Sequence, residues 1–268
     1  MFCSVGIQLN NVYKEKSTEY FKGILEIERN QHDCVVFTGG EPTLRKDVFE
    51  LVKYAQDLGY SIIFQTNGRM FSYHGFTKKF AYIDNIDFVV NICAHRPEIH
   101  DYITRVDGSF NQTIRGIENL MNLGKNVTAD VVINKLNYKH LKDICEYLSE
   151  KGITNIKLSF VEPNGLAYIN FEKIVPKISE VKVFLEKTLT LENNGINIVT
   201  EGFPFCFLDT PKRSIEYLES CDIKHIRVRE DKSKVPACKN CVYNSYCEGM
   251  WKNYLLKFGD SEFVPFKK

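Results

Sequence analysis

The sequence has no long hydrophobic run and no excess of charge of either sign. No stretch approaches the ~18 consecutive apolar residues that a bilayer-spanning helix needs. The opening MFCSVGIQLNN lacks the basic region and the long apolar core of a signal peptide. Lysine and arginine together number 35, against 34 aspartates and glutamates, so the net charge gives no attraction to nucleic acid. We therefore expect a cytoplasmic protein with no membrane partner and no nucleic-acid partner.

Cysteine is too scarce for a disulfide scaffold, yet it is unevenly placed. Nine cysteines among 268 residues fall below the roughly 8–10% of a disulfide-rich domain, and an odd number without an export signal argues against a disulfide framework. Five of the nine lie in the last 63 residues. Clustered cysteines in a reducing compartment more often hold a metal. The nine are Cys3, Cys34, Cys93, Cys145, Cys206, Cys221, Cys238, Cys241 and Cys247.

Short β-rich segments alternate with segments of helical length. Near-continuous apolar strands separated by helices indicate a parallel sheet that crossover helices cover on both faces. This alternation favours an α/β barrel or a doubly wound sheet. The predicted strands are Cys34–Thr38, Ser61–Gln65, Asp87–Ile92, Thr128–Ile133 and Asn155–Phe160. The predicted helices are Tyr20–Arg29, Asp47–Leu58, Phe110–Leu123, Lys139–Lys151 and Val181–Glu192.

The texture of the sequence changes after Gly195. A further strand, Ile196–Thr200, leads into an irregular segment that is rich in cysteine. We therefore predict two domains, an α/β domain over residues 1–195 and a small cysteine-rich extension over residues 196–268.

The first predicted strand is followed by a turn, Gly39–Pro42 (GGEP), that combines two glycines with a carboxylate. In parallel α/β folds, ligands collect at the carboxyl ends of the strands. Glycines allow a ligand to approach the main chain, and Glu41 adds an acceptor for an ammonium group. A glycine-rich turn with an acidic residue near a helix start is the alternative interpretation.

Two more strand ends carry polar or basic motifs in a fixed order. The second strand ends in Thr66–Gly68 (TNG), and the third is followed by His100, Asp101, Arg105 and then Gly108–Phe110 (GSF). Together with the GGEP turn, these motifs resemble those of the radical S-adenosylmethionine (SAM) superfamily, and the resemblance extends over nearly the whole chain.

The resemblance implies a SAM site at these strand ends. In the family, the GGEP motif binds the amino end of the SAM methionine, and an arginine placed like Arg105 approaches the SAM carboxylate, which a guanidinium fork suits. Polar residues after the next two strands would contact ribose and adenine, or would cap their loops. The resemblance thus assigns SAM binding to Gly39, Gly40, Glu41, Pro42, Thr66, Asn67, Arg105, Asn134 and Glu162.

The same resemblance implies a partial (β/α)6 TIM-like barrel and a [4Fe–4S] cluster held by three cysteines of a C-x3-C-x2-C loop. Cys3 resembles the last cysteine of that loop, so the other two, and the first barrel strand, would lie before Met1. Five strands are counted here against six in the family. We therefore expect an N-terminally truncated chain that is inactive by itself. The alternative is a paralogue that has lost the catalytic cluster.

The cysteines near the C-terminus predict a second metal site. Cys238, Cys241 and Cys247 lie within ten residues and bring no apolar face with them. The fourth ligand is Cys206 or Cys221. Cys206 resembles the upstream ligand of radical SAM proteins with a SPASM- or twitch-type extension, which favours it. Four thiolates suit zinc or a [4Fe–4S] cluster equally, and the resemblance favours an auxiliary iron–sulfur cluster. The predicted metal ligands are Cys3, Cys206, Cys238, Cys241 and Cys247.

The resemblance implies a radical SAM enzyme that cleaves SAM to a 5′-deoxyadenosyl radical and abstracts hydrogen from a substrate. Family members with such extensions often modify peptides, so the expected substrate is a peptide, as in peptide maturation, or a small molecule. The expected electron donor is a flavodoxin or a ferredoxin. Two other classes stay open, a non-catalytic SAM- or metal-binding paralogue and a zinc-stabilised structural α/β protein.

Overall fold

The computed structural model describes residues 3, 15–208, 210–215 and 229–267. Six strands form one sheet in the order β1-β2-β3-β4-β5-β6, and the pairs β1–β2, β2–β3, β3–β4 and β5–β6 are parallel. This architecture confirms the predicted α/β class. The strands are β1 (Cys34–Phe37), β2 (Ser61–Thr66), β3 (Ile86–Asn91), β4 (Asn126–Ile133), β5 (Asn155–Phe160) and β6 (Asn197–Glu201).

Helical segments separate the strands, as crossover connections between parallel strands require. The α-helices are α1 (Thr18–Glu28), α2 (Val48–Asp57), α3 (His74–Thr77), α4 (Pro97–Thr104), α5 (Ser109–Asn122), α6 (Leu141–Glu150), α7 (Gly165–Ile169), α8 (Phe171–Ile174), α9 (Ile178–Leu189) and α10 (Lys252–Phe258). Short 3₁₀ turns span Pro42–Leu44, Arg69–Ser72, Lys78–Phe80, Tyr138–His140, Thr190–Asn194, Phe205–Phe207, Pro211–Arg213 and Pro236–Asn240. A two-stranded antiparallel hairpin joins β7 (Lys232–Ser233) to β8 (Met250–Trp251).

The sixth strand corrects the strand count that the sequence gives. The segment Ile196–Thr200 is a strand, as predicted, but it does not belong only to the extension. It forms β6, which pairs with β5 from Asn197 opposite Asn155 onward. Its alternating buried residues, Ile198 and Thr200, supply the core face that a sheet strand needs. The sheet therefore contains six strands among the described residues rather than five.

The contacts divide the chain into two compact units. Among the described residues, the β1–β3 unit comprises 15–92 and 96–130, and the β5–β6 unit comprises Cys3, Cys93–His95 and the described residues from Val131 onward. This division does not follow the composition change after Gly195, because β6 and the extension pack with the end of the α/β domain. The domain boundary between residues 195 and 196 stays a prediction.

The core of the β1–β3 unit is an aromatic cluster. Phe64 of β2 and Phe88 of β3 lie against Phe71 and Phe80 from the connection between these strands, and all four are fully buried. Their ring centroids are 5.1–5.9 Å apart in mostly edge-to-face or tilted pairs. Each such pair contributes about 0.5–1.5 kcal/mol beyond the burial of its area. The cluster fixes one face of β2 and β3 and so positions the turns at their ends.

The β5–β6 unit buries aromatic residues from the C-terminal segment. Trp251 is 1% exposed and stacks on Phe160 at 6.0 Å between ring centroids. Gly202 allows this approach, since a Cβ there would lie 2.4 Å from Cη2 of Trp251 and its φ is +78°. The Tyr254 hydroxyl accepts a hydrogen bond from Ile178 N (2.8 Å) and donates one to Glu262 (2.6 Å). The C-terminal segment thus belongs to the core of this unit.

Among the described residues, every helix is too short or too polar to cross a membrane.

Two helical glycines should respond to alanine with opposite signs. A Cβ at Gly116 in α5 would lie 2.1 Å from the carbonyl oxygen of Gly68, whereas a Cβ at Gly23 in α1 meets nothing within 4 Å. Helix propensity favours alanine at both by about 1 kcal/mol. We expect Gly23→Ala to stabilise the protein by about 1 kcal/mol, and Gly116→Ala to destabilise it by about 1–3 kcal/mol through overpacking. Urea unfolding measures both, and a stabilising Gly116→Ala would contradict the close packing of α5 on the Gly68 turn.

Candidate functional site

The GGEP turn after β1 is organised by the Glu41 carboxylate. Gly39 has a φ of +141°, which favours glycine, and Pro42 begins a short 3₁₀ turn for which Glu41 is the N-cap. Oε1 of Glu41 accepts hydrogen bonds from Thr43 N (3.2 Å) and Thr43 Oγ1 (2.6 Å). The carboxylate therefore fixes the conformation of its own turn.

The same carboxylate reaches the turn after β2. Oε1 of Glu41 accepts a hydrogen bond from Thr66 Oγ1 (2.7 Å), and Oε2 accepts one from Asn67 N (2.8 Å). The GGEP and TNG motifs thus meet, as expected for the carboxyl ends of adjacent parallel strands. A carboxylate has about four acceptor positions. Three donors share Oε1 and one uses Oε2, so Oε2 keeps an acceptor position for a further N–H donor.

The TNG turn is held by its own side chains and by α5. The side-chain oxygens of Thr66 and Asn67 accept from Gly68 N (3.1 Å) and Arg69 N (2.9 Å), respectively. Thr113 of α5 donates to the Asn67 carbonyl (2.9 Å). Gly68 has a φ of +77°, and a Cβ there would lie 2.7 Å from Val90. These contacts therefore fix the conformation of the polar TNG turn beside Glu41.

The His-Asp pair and the GSF motif form one tertiary contact between α4 and α5. The Asp101 carboxylate accepts hydrogen bonds from Gly108 N (2.6 Å), Ser109 Oγ (2.8 Å) and Phe110 N (2.8 Å). Burial opposes ionisation of Asp101, but these hydrogen bonds outweigh burial and lower its pKa below the ordinary value. His100 is 1% exposed, and its ring lies edge-on to the Phe110 ring at 5.6 Å.

Arg105 ends α4 in the left-handed conformation, with a φ of +66°. Its N–H donates to the Asp101 carbonyl (2.8 Å), and its guanidinium lies over the Tyr102 ring, 4.9 Å from the ring centroid. A non-glycine residue in this region costs roughly 1–2 kcal/mol, so the surrounding contacts hold it there. Arg105 and Glu41 both belong to the β1–β3 unit.

Asn134, after β4, uses its side chain to build a turn. It is fully buried, its Nδ2 donates to the Val132 carbonyl (3.0 Å), and its Oδ1 accepts from Leu136 N (2.9 Å). Asn137 completes the turn by accepting from Asn134 N (2.8 Å) and donating to the Cys93 carbonyl (3.0 Å). The Asn134 side chain therefore caps its own loop, as the alternative interpretation expects. The role of Asn134 in binding SAM stays a prediction.

Glu162, after β5, forms an ion pair that sequence reasoning missed. Arg229 donates to Glu162 (2.8 Å) and also contacts Asp231 (3.3 Å), which accepts from Asn164 Nδ2 (3.0 Å). Burial opposes the charge of Arg229, but the two carboxylates outweigh burial and raise its pKa. No local signal reveals a pair whose members are 67 residues apart.

A second ion pair joins β5 to β6. Its lysine, Lys157, is next to Leu158 in β5 and therefore faces the opposite side of the sheet. Lys157 Nζ donates to Glu201 Oε2 (2.7 Å), and Ser159 Oγ donates to the same oxygen at 3.3 Å. Burial would raise the pKa of Glu201, but the charge of Lys157 and these hydrogen bonds lower it. The position of Lys157 inside an apolar strand indicates that it needs a partner, but the sequence does not show that the partner is Glu201, 44 residues away.

Cys3 belongs by its contacts to the β5–β6 unit. Its carbonyl accepts a hydrogen bond from Leu166 N (3.0 Å) in the first turn of α7, and its side chain is half-buried. The residues around it, 1–2 and 4–14, lie outside the described ranges. Its predicted role as a cluster ligand stays a prediction.

Four of the predicted C-terminal ligands line one pocket. Cys206, Cys238, Cys241 and Cys247 share it with mostly apolar neighbours, among them Phe205, Val235, Met250 and Phe263. Cys221, the competing fourth ligand, lies outside the described residues. Among the described residues, this pocket included, no three His, Cys, Asp or Glu side chains lie close enough together to form a metal-binding group.

The electrostatics of this pocket fit a cationic metal group. Burial, with repulsion from Cys247, Cys238 and Cys241 as a smaller contribution, raises the pKa of the Cys206 thiol to about 12. Gly249 N donates a hydrogen bond to Cys247 Sγ at 3.4 Å, which stabilises a thiolate. Four thiolates could not coexist in this apolar pocket without positive charge, and a bound metal centre supplies that charge.

The buried His100 predicts a pH-dependent stability. Burial lowers its pKa from 6.5 to about 4, although the neighbouring Asp101 charge opposes this shift. The unfolded chain binds a proton below about pH 6.5 and the folded chain only near pH 4, so stability is lost as the pH falls through this window. The loss is about 3 kcal/mol.

Urea unfolding at several pH values measures this slope. His100→Leu should flatten the pH dependence between about 6.5 and 4, whereas a substitution of the exposed His32, His32→Gln, should leave it unchanged. An unaltered slope in His100→Leu would show that folding does not lower the pKa of His100.

The chain is similar in sequence to several proteins that carry enzyme names. It is 32% identical over 154 residues to mycofactocin maturase MftC of Mycolicibacterium smegmatis, covering 57% of this chain and 38% of the relative. It is 27% identical over 155 residues to the AdoMet-dependent heme synthase of Oleidesulfovibrio alaskensis, covering 57% and 39%. A probable GTP 3′,8-cyclase of Saccharolobus islandicus is 32% identical over 157 residues, covering 58% and 50%. These matches span half or less of each relative.

Solved structures share the fold over almost the whole chain. Streptococcus suis SuiB bound to S-adenosylmethionine superposes with a TM-score of 0.67 at 17% identity, covering 100% of this chain and 72% of SuiB. The enzyme anSMEcpe with bound AdoMet and a peptide gives a TM-score of 0.64 at 15% identity, covering 95% and 86%. At these identities the likeness shows a shared fold.

The family model of the radical SAM superfamily matches residues 1–148. This is 148 of 268 residues, more than half of the chain, and it includes the GGEP, TNG and GSF motifs whose contacts are described above. The chain belongs to the radical SAM superfamily.

Proposed function

We propose that this chain is a radical SAM enzyme with a SAM site at the ends of β1 and β2 and a cysteine-rich extension over residues 196–268. The Glu41 carboxylate carries the proposal, because it joins the GGEP and TNG turns and keeps an acceptor position on Oε2. A [4Fe–4S] cluster bound together with SAM would reduce SAM and cleave it to methionine and a 5′-deoxyadenosyl radical. This radical would abstract hydrogen from a substrate. The residues of this chain bind and orient SAM for that chemistry.

The roles of the SAM-contacting residues follow from their chemistry. Glu41 accepts a hydrogen bond from the SAM ammonium at Oε2, beside the main chain that Gly39 and Gly40 leave open. Arg105 pairs with the SAM carboxylate, since a guanidinium donates two parallel hydrogen bonds to it. Thr66 and Asn67 form the surface of the SAM site next to Glu41. Asn134 and Glu162 follow β4 and β5, and we propose them for the ribose and adenine.

The proposed metal ligands fall into two sets. Cys3 is one of the three thiolates for the SAM-binding cluster. Cys206, Cys238, Cys241 and Cys247 hold an auxiliary [4Fe–4S] cluster, in an extension of the SPASM or twitch type over residues 196–268. The support for the second set is the shared apolar pocket and the mutual repulsion of its thiols.

We propose a peptide as the substrate, so that the enzyme is a peptide maturase. The names of similar proteins support this, since MftC is a maturase and SuiB has been solved bound to its precursor peptide. A flavodoxin or ferredoxin is the proposed electron donor. The near-neutral net charge gives no support for a nucleic-acid partner, and we propose a cytoplasmic location for the enzyme.

The full-length protein, purified without oxygen and reduced with dithionite, tests the SAM site. Glu41→Gln should weaken SAM binding at least tenfold in calorimetric titration and lower the yield of 5′-deoxyadenosine. The reason is that the new NH2 group is a donor, and it would face either one of the four donors that now bond to the Glu41 carboxylate or the SAM ammonium. The matched control is Glu50→Gln on the exposed face of α2, which should bind SAM as the wild type does. Unchanged affinity in Glu41→Gln would remove Glu41 from the site.

Iron and sulfide analysis tests the auxiliary site. Cys238→Ser and Cys247→Ser should each remove about four irons and four sulfides per chain relative to the wild type. Cys34→Ser, at an exposed cysteine outside the pocket, should remove none. Stoichiometric zinc without acid-labile sulfide at this site would contradict the proposed cluster and favour a structural zinc.

A further inference from the structure

We infer that Asp101 is a positioning residue that holds Arg105 and its loop in the conformation that binds the SAM carboxylate. The inference rests on the proposed function, because it assigns Arg105 to SAM. Asp101 is not among the residues that we propose to contact SAM or a cluster. Its basis is the position of Asp101 between two helices, with contacts to both ends of the loop that carries Arg105.

The loop between α4 and α5 is short and both of its ends bond to Asp101. Only Arg105, Val106 and Asp107 separate the end of α4 from Gly108. At the first end, the Asp101 carbonyl accepts from Arg105 N at 2.8 Å. At the other end, the Asp101 carboxylate accepts from Gly108 N at 2.6 Å. One residue thereby clamps the loop through its main chain on one side and its side chain on the other.

The start of α5 explains why the carboxylate must come from another helix. Gly108 is the N-cap of α5, and it has no side chain that could accept from the first N–H groups of the helix. Asp101 supplies the missing oxygen by accepting from Phe110 N and Ser109 Oγ, each at 2.8 Å. A local cap would stabilise α5 by itself, whereas this cap also ties α5 to the end of α4.

The conformation of Arg105 needs such a clamp. Its φ of +66° is unfavourable for a residue with a Cβ, and the residue is exposed. Little packing therefore holds the loop, while His100 and Ser109 on either side are buried. The hydrogen bonds of Asp101 link these anchored positions across the exposed loop. Without them, Arg105 would return to a commoner conformation and its guanidinium would move.

The charge of Asp101 is part of the clamp. Oδ1 accepts from Ser109 and Phe110, and Oδ2 accepts from Gly108, so each oxygen faces a donor. An asparagine keeps one oxygen and replaces the other by an NH2 group. With Oδ1 retained, the amide would face the Gly108 N–H, donor against donor. Asp101→Asn is therefore a minimal change that opens the Gly108 end of the loop and preserves the bond to Phe110.

Two measurements on the full-length protein test the inference. Amide hydrogen exchange on the cluster-free protein reports the loop, and calorimetric titration with SAM on the cluster-loaded protein reports the site. In Asp101→Asn, exchange at Arg105–Gly108 should rise at least tenfold while Phe110 stays protected, and SAM affinity should fall about tenfold. The matched control is Asp107→Asn, an exposed carboxylate in the same loop, which should change neither. Ser109→Ala, which removes one of the three bonds, should change both in the same direction by a smaller factor.

The outcomes separate the inference from the proposed function. Faster exchange in Asp101→Asn with unchanged SAM affinity would overturn the inference and leave Asp101 as a helix cap only, with the SAM site intact. Unchanged exchange would overturn the clamp itself. A wild type that binds no SAM would overturn the proposed function, and the exchange data would still decide the clamp. If Asp101→Asn does not fold, Ser109→Ala decides, and unchanged exchange and affinity there would count against the inference.

Discussion

The Glu41 carboxylate is the interaction on which the arrangement of the β1–β3 unit depends. It joins the turns after β1 and β2 through Thr43, Thr66 and Asn67 N. The turn after β2 also holds α5, because Thr113 of α5 bonds to the Asn67 carbonyl and Gly116 of α5 packs on the Gly68 carbonyl. The start of α5 is tied to α4 by Asp101, whose carbonyl holds Arg105. A continuous series of hydrogen bonds and contacts therefore runs from Glu41 to Arg105, the two charged residues that we propose for the two ends of the SAM methionine.

Charge is arranged differently in the β5–β6 unit. Lys157 of β5 pairs with Glu201 of β6, and Arg229 pairs with Glu162 and Asp231, so these charges are compensated by neighbours of opposite sign. Pairs of this kind add little net stability, since desolvation offsets much of the attraction. Cys206, Cys238, Cys241 and Cys247 lie in a mostly apolar pocket, where burial and the charge that neighbouring thiolates would carry disfavour ionisation of the Cys206 thiol. We propose the auxiliary cluster for this pocket because a metal centre would stabilise the thiolates.

Much of the fold could be predicted from the sequence, because its signals are local. Apolar β-rich runs at regular intervals gave the strands, and the motifs at their ends gave the family. The sequence predicts the strand Ile196–Thr200 but not its pairing with β5, since a change in composition does not show which neighbour a strand pairs with. The pairs of Lys157 with Glu201 and of Arg229 with Glu162, and the capping of α5 by Asp101, depend on residues that are distant in sequence or in different helices. Such contacts are set by tertiary packing, and no spacing rule identifies them.

The most direct test of the central claim is an anaerobic crystal structure of the full-length protein with SAM. The account predicts the amino nitrogen of SAM within about 3.2 Å of Glu41 Oε2 and its carboxylate paired with the Arg105 guanidinium. It also predicts that the bonds from Glu41 to Thr66 and Asn67 persist in the complex. A SAM methionine bound away from both residues, or a Glu41 that abandons the TNG turn, would contradict it.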